Sequence, residues 1–148
     1  MDELTIQKWY ALCDKLDGQG YAKGYGNLTP AEQVWVDIRS LIDSTENGGL
    51  ISYFYNHGAD RLHECFFALD LLGADVIRAQ LQRIGALFPG GVPKTIDGRN
   101  EIINSWDDED ESTHNLMEDV DTVMFAEIGH LEERLAQFLS ENGLLADP

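Results

Sequence analysis

A chain of 148 residues with 43% hydrophobic content is long enough to bury one sizeable core, and the expectation is a single domain over residues 1–148. Its formal net charge of −17 argues against direct nucleic-acid binding, because phosphates would be repelled, and points to a basic partner, a cation or high solubility. The two cysteines, Cys13 and Cys65, fit no metal or redox spacing, and an acidic amino terminus without a long apolar run argues against a secretory leader or a membrane span, so the expected location is cytoplasmic.

Residues 3 to 16 place Ile6, Trp9, Tyr10, Cys13 and Leu16 at helical spacing, and Asp17-Gly18-Gln19-Gly20 is expected to end that helix. Tyr21 to Leu28 reads as a Gly-rich loop. Thr29-Pro30-Ala31-Glu32 is a helix start, with Thr29 as N-cap, Pro30 at the first helical position and Glu32 third after the cap. The helix that follows is expected to bury Val34, Trp35, Ile38, Leu41 and Ile42 and to show Glu32, Asp37 and Asp43 to water. Asn47-Gly48-Gly49 stops it, and at least one of the three is expected at positive φ, where Gly meets no steric penalty. Tyr53-Phe54-Tyr55 then forms a short aromatic helix, with Asn56 and Gly58 at a second corner. Tyr53, Phe54 and Asn56 are read as packing and capping there, with a small pocket as the alternative.

Asp60 is expected to cap a helix carrying Leu62, Cys65, Phe66, Leu69 and Leu72, which Gly73 ends. Asp75 opens the next, with Val76, Ile77, Leu81, Ile84, Leu87 and Phe88 inward, until Pro89-Gly90-Gly91-Val92-Pro93 breaks it. Lys94 to Gly98 reads as a loop and Arg99 to Trp106 as a short helix. A last helix, from about Asp119 to Asn142, buries Val123, Met124, Ile128, Leu131, Leu135 and Phe138, and Gly143 ends it. No strand-period alternation of useful length occurs. The expected fold is all-α, one compact domain of about six helices. Trp35, Ile38, Leu41, Phe66, Leu69, Ile77, Leu81, Ile84, Leu131 and Leu135 are its expected core.

Charge is uneven along the chain. From Asp107 to Pro148 there are 13 acidic residues and one basic residue, Arg134. The acidic candidates for a partner-binding surface are Asp107, Asp108, Glu109, Asp110 and Glu111, with Glu118, Asp119, Asp121, Glu127, Glu132 and Glu133. Carboxylates three or four residues apart on a helix lie roughly 5–6 Å from each other, while phosphates on a DNA strand advance 3.4 Å along the axis. Acidic side chains on a helical scaffold thus match the sign and rough density of a phosphate row. A solvated face that keeps the chain soluble accounts for the same charge.

Asp107 to Glu118 also places oxygen ligands at positions 1, 3, 5, 9 and 12 of a calcium-binding EF-hand loop. Ser112 stands where that loop needs Gly, and His114 where it is normally apolar, so no metal site is assigned. His57, His63 and Cys65 match no common zinc pattern, and Cys65 reads as a small core residue. No nucleophile motif or P-loop occurs, so no catalytic residue is assigned, and no cofactor is expected.

Three motifs in order, Asn47-Gly48-Gly49 with Tyr53-Phe54 and Asn56, then Leu72-Gly73-Ala74, then Phe88-Pro89-Gly90-Gly91 with Pro93, resemble a bacterial domain-of-unknown-function family typified by the neisserial DNA-mimic protein. The resemblance covers roughly residues 28 to 142. It departs at Leu50, where family members often have Phe, and at Ser52, where they often have Gln. It implies an acidic module that keeps a basic DNA-binding protein, such as a transcription factor, off its DNA, and it implies a homodimer. A ligand-binding or enzymatic domain built on the Asn47 to Asn56 corner is the alternative reading.

Overall fold

Local capping chemistry and one apolar stripe per helix set the architecture of the computed structural model. It describes residues 3–106 and 109–145, and their side chains except those of residues 4, 5 and 17–23. Among the described residues there are seven α-helices and no strand: α1 (Glu3–Lys23), α2 (Pro30–Gly48), α3 (Leu50–Phe54), α4 (Leu62–Leu71), α5 (Asp75–Gly85), α6 (Ile96–Asn104) and α7 (Glu111–Glu141). Tight helical turns at Tyr25–Asn27 and His57–Arg61 join them. The expected all-α class is found, with one helix more than the count of six.

Helix α2 is the hub. Its start is a complete capping box: Glu32 N–H donates to Thr29 Oγ1 at 3.2 Å and Thr29 N–H donates to Glu32 Oε1 at 2.9 Å, with Pro30 at the first turn. Val34, Trp35, Ile38, Leu41, Ile42 and Thr45 recur at helical spacing and are all buried. Against that stripe pack α1, α3, α4 and α7, while α5 packs between α4 and α7. The expected core residues are buried, except that Phe66 is half-buried with the Arg78 guanidinium 4.6 Å over its ring. Leu50, Tyr53, Phe54, Met124 and Leu139 complete the centre.

Several boundaries differ from the sequence reading. Helix α1 runs through Asp17-Gly18-Gln19-Gly20 to Lys23. Gly18 and Gly20, at about 1 kcal/mol each in a helix interior, do not end it; its earlier turns bury Trp9, Leu12 and Leu16, while Ile6 and Tyr10 lie exposed. Residues 25–27, read as loop, form a tight turn. Asp60 does not cap α4; it lies within the preceding turn, and Arg61 occupies the cap position without a side-chain bond. Helix α5 ends at Gly85, so Phe88 reaches the core from a turn rather than from the helix, and Val76 is exposed. Helix α6 starts at Ile96, because the Thr95 hydroxyl accepts the Gly98 amide at 3.1 Å. Helix α7 starts at Glu111, well before Asp119, because Asp110 caps it.

Two acidic residues expected in water are buried: Glu32 and Asp37. Glu32 is held in its capping box. Asp37 accepts from Tyr25 Oη at 2.6 Å and from Arg61 Nε at 2.7 Å, partners that lie elsewhere in the chain. Burial pushes the Asp37 carboxyl above its ordinary value even though both bonds favour the charged form.

Candidate partner-binding surface

Helix α7 carries most of the candidate carboxylates, and the fold divides them. Asp107 and Asp108 lie outside the described residues, and Glu109 is exposed in the turn before the helix. Asp110 is the N-cap: its Oδ1 accepts the Ser112 amide at 3.0 Å and the Thr113 amide at 3.3 Å. Those bonds, Thr113 first, hold its carboxyl below the ordinary value. Glu111, Glu118 and Glu133 are exposed, about two and then about four helical turns apart, so they share one outward stripe. The buried stripe of Val120, Met124, Ile128, Leu131 and Leu135 faces the other way.

The remaining acidic candidates turn toward neighbouring elements. Asp119 pairs with Arg83 Nη2 of α5 at 2.8 Å. Asp121 Oδ1 accepts the Leu50 amide at 2.8 Å, at the start of α3. Glu127 is half-buried beside Gly73 and His130 in a shallow depression. Glu132 lies 3.7 Å from Arg39 Nη1 of α2.

At that last contact α2 adds carboxylates that the sequence reading did not place on this surface. Arg39 Nη2 pairs with Asp43 at 2.7 Å, and Glu46 lies close enough to act on Glu132. Desolvation pushes the Glu132 carboxyl above its ordinary value, Arg39 opposes this, and Glu46 and Asp43 add to the rise. Two carboxylates therefore flank the Arg39 guanidinium and a third, Glu46, acts on Glu132, so the junction of α2 and α7 stays negative. The missing signal was three-dimensional: Asp43 and Glu46 belong to a different third of the chain.

The motif residues converge on one corner. Gly49 ends α2 at φ +83°, as expected for one of the three positions, while Asn47 and Gly48 remain helical. A Cβ on Gly49 would come within 2.5 Å of Asp121 Oδ2. Tyr53 and Phe54 are fully buried, edge to face at 5.5 Å, and Tyr53 Oη donates to the Gly58 carbonyl at 3.2 Å. Phe88 lies 5.7 Å from the Phe54 ring and 5.4 Å from Trp106, while Pro89 and Gly90 form the exposed turn beyond it. Asn56 opens the turn at His57, its Nδ2 3.4 Å from Ser44 Oγ. Tyr53 and Phe54 fill the corner, while Asn56 lies on the wall of a cavity that also touches His57 and Gly58.

Compared with known families, residues 26–142 match the family model described as DMP19-like protein, DNA mimic protein 19-like. The chain belongs to that family. Searches of curated proteins and of solved structures return no match. The family match takes in α2 to α7 and their carboxylates, and leaves α1 outside it.

Within the family's corner, the residue that does most to hold it together escaped the sequence reading. Arg99 is completely buried. Its Nε donates to the Phe54 carbonyl at 2.8 Å, and Nη2 to the Asn56 carbonyl at 2.9 Å and to Asp60 Oδ1 at 2.7 Å. Nη1 donates to the carbonyls of Pro93 and Lys94 at 3.1 and 2.9 Å. One guanidinium thus ties the ends of two motifs together. Desolvation raises the Asp60 carboxyl, but bonds from Arg99 and His57 outweigh it and hold it below its ordinary value.

The calcium-loop alignment fails physically, because Glu111 to Glu118 are helical and cannot wrap an ion as a loop does. Cys65 is buried, and desolvation pushes its thiol up to about 12, which leaves it a poor nucleophile and metal ligand at neutral pH. Among the described residues no helix is long and apolar enough to cross a membrane.

Proposed function

We propose that this member of the DMP19-like family is an acidic protein-interaction module that occupies the DNA-binding surface of a basic protein such as a transcription factor. The observation that carries the reading is the outward stripe of α7. From Glu111 to Glu133 the helix advances about 33 Å, close to the ~34 Å of one turn of B-DNA. Arg134 is the one Lys or Arg on that helix. The α2–α7 junction, with Asp43 and Glu132 at Arg39 and Glu46 acting on Glu132, extends the negative field sideways. Family membership supports the same reading. A homodimer and a cytoplasmic location belong to it as well.

The test is a pull-down from the native cell at low salt, followed by competition against a labelled operator fragment. Enrichment of a basic DNA-binding protein, displaced from its operator by this chain, is the expected result. Affinity should fall steeply with salt, because exposed charges are screened beyond ~8 Å at physiological ionic strength. A partner that binds this chain and DNA together, or an affinity flat across the salt series, overturns the reading.

A further inference from the structure

Phe125 interrupts the outward stripe of α7. It is 54% exposed, an aromatic ring in water on the most acidic helix of the chain. It stands seven residues after Glu118 and seven and eight before Glu132 and Glu133, so carboxylates flank it at about 10–12 Å along the helix axis. Asp121, one turn back, shares its side of the helix. Gly129, one turn on, is exposed, and a Cβ there would meet nothing within 4 Å. Glycine is a poor helix former, and no neighbour requires it at that position. Because helical side chains lean toward the N-terminus, a longer residue at 129 would lie against the Phe125 ring; glycine leaves the ring open.

Elsewhere the same chain covers its half-buried rings in one way. Arg61 stands 4.4 Å over the Tyr25 ring and Arg78 4.6 Å over the Phe66 ring. Each guanidinium is also paired with a carboxylate, Asp37 at 2.7 Å and Asp70 at 2.8 Å. Ring face and carboxylate attract the same cation, so the two contacts support each other. Phe125 has the ring and the surrounding carboxylates without the cation. Among the described residues no guanidinium or ammonium stands over it, and Arg134, the one Lys or Arg on α7, donates to the Gly73 carbonyl.

We infer that Phe125 is the aromatic anchor of the α7 surface and receives an arginine side chain of the basic partner. The guanidinium stacks on the ring, and Glu118, Asp121 and Glu132 complement its charge. Arginine fits better than lysine, because its planar, weakly hydrated head stacks on an aromatic face. The inference rests on the reading of α7 as a surface for a basic protein and adds what charge alone lacks. Exposed carboxylates chiefly steer encounter, whereas a desolvated aromatic contact holds a complex together.

Isothermal titration calorimetry of the full chain at low salt tests it with two probes, an oligoarginine peptide and an oligolysine peptide of equal length. Wild type should bind oligoarginine about threefold tighter or more, the size of an exposed cation–π contact. Phe125→Leu should remove that preference and change oligolysine binding by less than about twofold. Gly129→Gln should also reduce the preference, by covering the ring, while raising the thermal midpoint as a better helix former. Glu118→Gln with Glu133→Gln should weaken both peptides alike. Equal binding of the two peptides by wild type, or a preference that Phe125→Leu leaves intact, overturns the inference while the acidic surface stands. A sedimentation coefficient of the chain alone that falls in Phe125→Leu shows a second copy over the ring, and overturns it too. Failure of both peptides to bind removes the acidic surface itself, and the proposed function with it.

Discussion

The Asp121 carboxylate accepts the Leu50 amide at 2.8 Å across 71 residues of sequence, directly over the Cα of Gly49. An acidic residue of α7 thereby closes the Asn-Gly-Gly corner of α2. The positive φ of Gly49 and the closeness of Asp121 are separate reasons for glycine there. Asp121→Ala should cost about 1–3 kcal/mol, because the Leu50 amide loses its partner. Gly49→Ala should cost on the order of 1–3 kcal/mol from the backbone conformation alone, and more from the collision. In a double-mutant cycle by urea denaturation, Gly49→Ala should therefore cost less in the Asp121→Ala background than in the wild type. Equal costs in both backgrounds would show that the contact contributes nothing.

Arg99 is the residue whose loss should hurt stability most. Arg99→Met removes a buried charge and takes the donor from the carbonyls of Phe54, Asn56, Pro93 and Lys94, while the exposed Asp60 carboxylate keeps its contact with water. Each buried acceptor left without its donor costs about 1–3 kcal/mol, and several together consume much of the stability of an average domain. A thermal midpoint within a few degrees of wild type would refute the assignment.

Asp60 gives the same cluster a pH signature. Its folded-state carboxyl is held below the ordinary value of 3.8. A lowered acid pKa contributes stability that is present above the unfolded value and is lost as pH falls through the folded value. Asp60→Asn should therefore be less stable than wild type at pH 7, with the gap narrowing below about pH 4. Parallel stability profiles of the two proteins from pH 7 to pH 3 would contradict this.

The parts of this fold legible in the sequence are those written locally. Thr29-Pro30-Ala31-Glu32 specifies its own capping box, and a glycine at the end of α2 specifies its own turn. The Trp35, Ile38, Leu41 and Ile42 stripe needs only the helical period to be read. Arg99 and Asp37 were not legible, because a buried charge is tolerated only through partners far away in sequence. Those partners are Phe54 and Asp60 for Arg99, and Tyr25 and Arg61 for Asp37. The acidic surface was half legible for the same reason: composition marks α7 as acidic, but only packing shows which carboxylates point outward and which hold the fold. The start of α7 was misplaced because Asp110 was read as one more acid in a run rather than as a cap.

That division makes the proposed interaction separable from stability. Glu118 and Glu133 are exposed on the outward stripe, whereas Asp121 anchors the α3 corner. Glu118→Gln with Glu133→Gln should leave the unfolding free energy within about 0.5 kcal/mol of wild type, as surface substitutions usually do. Glu132→Gln should be neutral or slightly stabilising, because burial and the nearby Glu46 and Asp43 already disfavour its charge. If a basic DNA-binding protein is the partner, the outward pair should slow association more than it speeds dissociation, since exposed rim charges chiefly steer encounter. Association and dissociation rates measured by surface plasmon resonance at two salt concentrations distinguish these effects. An outward-pair variant that associates as fast as wild type at low salt would remove the stripe from the interface, and the α2–α7 junction around Arg39 would be the acidic surface left to test.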